Sequence, residues 1–472
     1  MDMIFIELQK KSDTPLYQQI YNQIKQDIID GKFPVGMKLP SKRQLEEFLS
    51  VSQTTIEMAY DQLTAEGFIA AEPRKGYFVQ AIEELAYVQP MRSELSVIES
   101  AEEPIHYDFS AGAVDTVRFP FTAWRKHARD IMDITHSHLL LLGDPHGDLE
   151  LRQEIARYLY HSRGVDCTPE QIIIGSGTEQ LLPLIIRILG KEARYAIEDP
   201  GYLMTRHVFS ENYRQTVPIS VDHEGMDVKA LQSSDASIAY VTPSHQFPTG
   251  TVLSAARRTA LLNWAATNSE FFIIEDDYDS EFRYRGRPIP SLQGMDKGEN
   301  VIYLSTFTKS LMPSMRIAYM VLPPMLLDKY RQAFIPYSSS VPRIDQHILA
   351  RFMADGQFSR HLNRMRKIYR RKMQVLTDML KLYEPHISFT GDEAGMHILL
   401  HVHSEQSEQD LLNQALTAGI KVRSLDTYRV SPSHADPSFL IGFGGLSEDE
   451  IQMGIHTLFE IWNIKKAAVP TK

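Results

Sequence analysis

Residues 305–316 read STFTKSLMPSMR, and the use made of Lys309 decides the fold of most of the chain. The apolar run VIYL (301–304) leads in and IAYMVLP (317–323) leads out, so the lysine sits in a loop between two buried strands. Surface loops hold many solvated lysines, which is the plain alternative. The other reading is a lysine held beside an anion and used for its amine, because burial and cationic neighbours lower its pKa and free its lone pair. Arg316, seven residues on, and the hydroxyls of Thr306 and Thr308 supply the materials of an anion clamp.

Working outward, further apolar runs end in polar or glycine-containing turns: QIIIGSG (171–177), RYAIEDPGY (194–202), SIAYVTPSHQ (237–246) and FFIIEDDYD (271–279). Helical stretches separate several of them, which predicts a largely parallel α/β sheet with functional residues at strand ends. GSGTEQ (175–180) enters a helix, and the free backbone N–H groups at Gly177 and Thr178 suit a phosphate. EDDYD offers Asp276 or Asp277 to a pyridinium nitrogen and Tyr278 to a phenolic oxygen. Lysine, acid, phosphate turn and clamp together are what pyridoxal 5'-phosphate (PLP) demands, and no one of them is specific alone. MHILLHV (396–402), IKVRSL (420–425) and SFLIGFG (438–444) then predict a small C-terminal α+β subdomain.

The first 80 residues differ. Leu16, Ile20, Ile24 and Ile28 mark one helix face; Ser41 and Gln44 have capping-box spacing before a helix with Leu45, Phe48 and Leu49 as its apolar face. Ser52 caps a third helix whose buried stripe is Ile56, Ala59, Tyr60 and Leu63, and FIAAEPRKGYFV reads as a hairpin. This is a winged helix-turn-helix. Its third helix, starting at Ser52, presents Gln53, Thr54, Thr55 and Glu57 to a major groove, while Lys42, Arg43, Arg74 and Lys75 hold phosphates. A three-helix protein-interaction module is the alternative. The expected division is 1–80 DNA-binding domain, 81–104 acidic linker with a short helical piece, and 105–465 PLP-binding domain.

Net charge is −11, and residues 1–80 carry 9 Lys+Arg against 11 Asp+Glu, so indiscriminate nucleic-acid binding is not expected, although the basic residues are clustered. No apolar run reaches the roughly 18 residues of a membrane helix. One cysteine, Cys167, excludes an internal disulfide and a cysteine-based metal site, and the cytosol is the expected compartment. HSH (136–138) and HVH (401–403) lack an acid or cysteine at ligand spacing, so no metal is expected. RMRKIYRRKMQVLTDML (364–380) has helical period and a basic face, and is read as a packed interdomain or dimer helix rather than a second DNA contact.

Residues 15–79 resemble the GntR-type winged helix through G-x-x-LPS-x-R-x-L, VS-x-x-T, L-x-x-EG and the GYFV wing end. Residues 105–460 resemble the fold type I, class I aminotransferases through FPFTAW, GDPHGDLELRQEIARYLYHSRGV, GSGTEQ, EDPGY, TPSHQFPTG, EDDYD, TFTKSLMPSMRIAY and LIGFGGLSEDEI, in that order. Joined in this order, the two resemble the MocR/GabR group of bacterial transcriptional regulators. The resemblance implies Lys309 as the Schiff-base lysine, Asp276 at the pyridine nitrogen, Tyr278 at the phenolic oxygen and Tyr202 stacked on the ring. Arg316, Thr306 and the 177–178 turn would hold the phosphate. It further implies a head-to-tail homodimer and a double-stranded operator with paired half-sites; the expected effector is a small amine or amino acid exchanged at a Lys309 aldimine, or PLP itself.

Departures from the pattern sharpen the expectation. Gln53 stands where an arginine is common, Leu440 where aminotransferases carry the arginine for the α-carboxylate, and Phe247 where they carry asparagine, with Gln246 or His245 as its substitute. Met204 replaces the arginine of GABA-sensing members. Leu440 and Met204 count against efficient transamination of an ordinary amino acid, and Met204 also against GABA. Arg423 and Arg429 are the candidates for holding an effector's acid group, with a solvated loop as their alternative. The expected function is a PLP-dependent regulator; a working aminotransferase with an accessory DNA-binding head is the rival.

Overall fold

Two runs of sequence fold around separate cores in the computed structural model, which describes residues 6, 8–9, 12, 14–81, 104–286, 289–334, 337–430 and 436–466. The chain divides into two compact units, Met1–Ser100 and Ala101–Lys472. Nearly all of the acidic linker expected at 81–104, with its short helical piece, lies outside the described residues.

In the first unit, α1 (Leu16–Ile29), α2 (Lys42–Leu49) and α3 (Gln53–Ala65) precede the hairpin β1 (Ile69–Glu72) and β2 (Gly76–Val79). Ser41 and Gln44 form the capping box that sequence spacing predicts, and the Ser52 hydroxyl accepts the Thr55 N–H at the start of α3. Ile20, Ile24, Leu45, Ile56, Tyr60 and Leu63 close one core, and the Tyr60 hydroxyl donates to the Pro40 carbonyl at 2.9 Å. Phe48 corrects the expected face of α2: it is 43% exposed. Leu45 is buried and Leu49, one turn on, packs against the same core, so the buried stripe of α2 runs through these two and leaves Phe48 on its solvent flank.

In the second unit, α4 (Leu149–Arg163) leads to β3 (Ile172–Gly175), α5 (Thr178–Leu189), β4 (Tyr195–Asp199), β5 (Thr216–Asp222) and β6 (Gly225–Met226). β7 (Ile238–Val241), β8 (Phe272–Asp276), β9 (Val301–Thr306) and β10 (Ala318–Val321) complete a sheet of order β3-β10-β9-β8-β7-β4-β5-β6. The β9–β8–β7–β4–β5 pairs are parallel, and β10 is antiparallel to both neighbours. β3, β7, β8 and β10 are buried throughout, as expected of strands covered on both faces, so their continuous apolar runs follow. The parallel strands deliver their C-terminal ends to one edge, and β10 returns its N-terminal end to the same edge. Lys309 and Arg316 lie in the connection from β9 to β10.

α6 (Gln357–Lys381) buries Met365, Tyr369, Met373, Leu376 and Leu380, so the basic, methionine-containing stretch is a core-packing helix. Its Lys372 is buried and pairs with Asp115 at 2.9 Å. β11 (Ile387–Thr390), β12 (His397–Val402), β13 (Arg423–Ser424) and β14 (Ser438–Gly442) form an antiparallel sheet of order β11-β12-β14-β13, closed by α7 (Glu448–Ile461). This is the small C-terminal α+β layer. Among the described residues no helix is long and apolar enough to cross a membrane.

Candidate functional site

On the head, Gln53, Thr54, Arg43, Arg74 and Lys75 are exposed. Ser52 and Thr55 are occupied in capping each other, their hydroxyls 2.8 Å apart. Gln53 Nε2 rests on Glu57 at 3.3 Å, a contact a base edge can replace. Arg43 and Lys75 make exposed pairs with Glu47 (3.4 Å) and Glu72 (2.9 Å), which hold such side chains weakly. Lys42 is placed differently. Its ammonium lies 3.6 Å from Glu57 and 3.5 Å from Asp61, over the Tyr77 ring at 5.6 Å, so its charge ties α2 to α3 and the wing. Arg74 sits in the hairpin turn with φ +64°.

In the second unit the strand ends converge on a cavity of about 320 Å³. All the cofactor residues chosen from sequence line it: Lys309, Asp276 and Tyr278 from the strand ends, Tyr202 at one wall, and Gly177, Thr178, Thr306, Thr308 and Arg316 at another. A larger cleft of about 560 Å³, bordered by Tyr158, Glu281, Phe358 and Arg366, holds none of them. Chemistry, not volume, singles out the smaller one.

Lys309 Nζ donates to the Ala111 carbonyl at 2.8 Å. Burial of the ammonium lowers its pKa to about 8, against the opposing pull of the Asp279 carboxylate. A substantial neutral fraction near neutral pH is what a nucleophilic amine requires.

The two candidate acids separate cleanly. Asp277 is taken up by Arg163, at 2.7 and 3.3 Å, and by the hydroxyls of Tyr303 and Ser280. Burial alone would raise its pKa, but Arg163 and these donors outweigh it and hold the carboxyl low. Asp276 lines the cavity. The Tyr240 hydroxyl donates to Oδ2, whereas Oδ1 is buried without a hydrogen-bond partner among the described residues. Burial pushes Asp276 up to about 7, with Asp277 and Asp279 adding repulsion. A buried acceptor left unpaired is costly, and a protonated pyridine nitrogen is a group that satisfies it. On this ground the residues fit PLP.

The opposite wall gathers groups suited to an anion. Gly177 (φ +153°) precedes α5 in a backbone conformation that L side chains rarely adopt, and a Cβ there would have to push aside Arg316 Nη2 and the Glu179 carboxylate. Arg316, itself left-handed at φ +51°, pairs with Glu179. The hydroxyls of Thr306 and Thr308 are 2.7 Å apart. Glu179 was not selected from sequence; an acid in the first turn after a glycine-containing strand end is the signal that could have found it.

Neither expected substitute for the missing asparagine reaches the cavity. The Gln246 amide is spent on the carbonyls of Pro200 (2.9 Å) and Phe247 (2.6 Å). His245 is buried against Asp279 at 2.9 Å. Phe247 faces the cavity instead, edge-on to Tyr202 and Tyr428 with centroids 5.3 and 5.0 Å apart. The Tyr278 hydroxyl donates to the His245 carbonyl at 2.9 Å and lies 3.1 Å from His245 Nδ1, so it must re-aim to serve a phenolic oxygen.

His245, Asp279 and His397 bring one ligand atom each within 4.8 Å of one another, a grouping drawn from three distant segments that linear spacing could not show. His397 Nε2 lies 3.2 Å from the Pro248 carbonyl, and within the trio the hydrogen bond is between His245 and Asp279.

The effector arginines part company. Arg423 lines the cavity. It sits directly opposite Leu440 in the β13–β14 register, with Leu440 buried against Leu399 and Leu425. Arg429 pairs with Asp426 at 3.3 Å and borders a separate cleft beside Gln406 and Ser438.

Comparison with known proteins bears on both units. Residues 105–458 match the family described as aminotransferase class I and II, and residues 16–79 match the gntR family of bacterial regulatory proteins. YdeL of Bacillus subtilis (strain 168), an uncharacterized HTH-type transcriptional regulator, is 42% identical over 461 residues, 97% of this chain and 99% of its own. The probable rhizopine catabolism regulatory protein MocR of Rhizobium meliloti is 29% identical over 96% of this chain and 94% of its own. A kynurenine aminotransferase of Pyrococcus horikoshii, solved in complex with PMP, is similar over 78% of this chain and 93% of its own, at 26% identity and a TM-score of 0.68. The expected fold class is borne out: a winged helix-turn-helix joined to a fold type I, aminotransferase-like α/β domain. The chain belongs to the GntR/MocR family of HTH-type transcriptional regulators.

Proposed function

We propose that this regulator uses PLP at Lys309 as its sensing element and couples occupancy of the cavity to operator binding by the head. The observation that carries this is that Asp276, whose Oδ1 has no hydrogen-bond partner among the described residues, lines the same cavity as a lysine of depressed pKa. PLP supplies an aldehyde that a neutral amine can capture. Around it, Asp276 accepts a pyridine N–H, Gly177, Thr178, Thr306, Thr308 and Arg316 hold an anionic group, and Tyr202 and Phe247 wall the ring. Arg423 is placed to take an effector's acid group in a site where Leu440 cannot; Arg429, in its separate cleft, is the weaker candidate. The effector class is PLP and/or a small amine.

The working unit in this proposal is a cytosolic head-to-tail homodimer, with 1–80 as the DNA-binding domain, 81–104 as linker and 105–465 as the PLP-binding domain. Two-fold symmetry then asks for an operator with paired half-sites. Effector binding shifts the balance between two packings and so the spacing of the heads. Footprinting of a candidate operator with and without PLP and a panel of amines tests this. The expected result is a ligand-dependent footprint that Lys309→Ala renders ligand-independent; a footprint insensitive to every ligand would sink it.

The rival, a working aminotransferase, is disfavoured by Leu440, which buries an apolar side chain where a carboxylate-binding arginine is expected. Ketoacid formation from amino acids at or above roughly 1 per second would favour the rival.

DNA reading is assigned to Arg43, Gln53, Thr54, Arg74 and Lys75, with Ser52 and Thr55 shaping the helix start and Lys42 anchoring it. Gln53→Ala is expected to weaken specific binding by about 1–3 kcal/mol and relax base preference at one position. Arg74→Ala is expected to weaken all sequences alike and flatten the salt slope by about one. Mobility shifts at several salt concentrations separate the two outcomes.

A further inference from the structure

Resting on the PLP reading, we infer that Glu179 is a built-in competitor for the cofactor's phosphate, which keeps occupancy of the pocket exchangeable. The anion clamp already contains an anion. Arg316 pairs with the Glu179 carboxylate, and the space a Cβ would take at Gly177 ends against Arg316 Nη2 and Glu179 Oε2. Glu179 is also in the first turn of α5, where a carboxylate answers the same exposed N–H groups and helix dipole that would otherwise attract a phosphate. The Thr306 and Thr308 hydroxyls are likewise turned on each other.

A phosphate entering this clamp must therefore displace Glu179 from Arg316 and then tolerate a like charge beside it. Displacement is cheap. Both side chains of the pair are 47% exposed, and exposed pairs hold weakly. The repulsion persists as long as the carboxylate stays within a few ångströms. The consequence is a lowered affinity for phosphorylated ligands specifically, so that occupancy follows their free concentration. An enzyme that must retain its cofactor gains nothing from such a residue; a sensor does.

The test is a spectrophotometric titration of the full-length protein with PLP and, in parallel, with pyridoxal, which lacks the phosphate. Glu179→Gln is expected to lower the apparent Kd for PLP by about tenfold, the effect of relieving one like charge near contact in a half-exposed site. Glu179→Asp keeps the charge and is expected to stay near wild type. Pyridoxal should titrate all forms alike. Should Glu179→Gln fail to fold, as judged by circular dichroism, Glu179→Ala carries the same expectation. Unchanged or weaker PLP binding in the neutral variants, or an equal gain for pyridoxal, would overturn the inference. A wild type that shows no band with PLP would instead overturn the reading on which it rests.

Discussion

Incubated with PLP, the wild-type protein develops a visible absorption band from covalently held cofactor, and Lys309→Ala develops none. Lys309→Arg gives the same loss while keeping the charge, because a guanidinium cannot act as the nucleophile at any accessible pH. The pH dependence carries the site's signature. The neutral amine reacts, and burial brings its pKa down to about 8. The rate of band formation should therefore rise about tenfold per pH unit below 8 and level off above it. A freely solvated lysine would keep rising toward about 10.4. Stopped-flow absorbance between pH 6 and 9.5 distinguishes these, and a rate still climbing steeply at pH 9.5 would contradict the buried placement.

The second large effect concerns stability. Arg163 lies at the end of α4, 114 positions from Asp277, yet its guanidinium grips that carboxylate and also reaches Ser244 Oγ at 2.6 Å. Both members of the pair are almost wholly buried, with side-chain exposures of 5% and 1%. Arg163→Met removes one partner and strands a charge, at a cost of about 3–5 kcal/mol. Asp277→Asn in the same chain should recover a good part of this, since the stranded charge is gone. Urea unfolding of the single and double variants measures it; a single-variant loss below about 1 kcal/mol would show the pair to be dispensable.

That pair also explains what could and could not be read from the chain. Period-four apolar positions and capping residues announced the head, and continuous apolar runs ending in polar turns announced the sheet, because local spacing encodes them. EDDYD announced an acid at a strand end but not which one. Asp276 and Asp277 point to opposite faces, and their roles depend on Arg163, which no local pattern links to them. The same holds for Gln246 and His245, expected to replace an asparagine but drawn off by Pro200, Phe247 and Asp279. Arg423 and Arg429, six residues apart, looked equivalent until the strand register placed one opposite Leu440. Phe48 looked buried by spacing alone, but the stripe that packs on the core runs through Leu45 and Leu49 and leaves it on the flank.

The antiparallel placement of β10 has a consequence for ligand choice. Because the sheet edge folds back on itself between Thr306 and Ala318, one short connection carries the amine of Lys309 near its start and the guanidinium of Arg316 near its end. In the proposed reading these two groups act as the jaws of a caliper, carried on the connection between two neighbouring strands. On that reading a ligand would be gauged by the span from its carbonyl carbon to its anionic tail. Aldehydes of another length would then reach one jaw and miss the other.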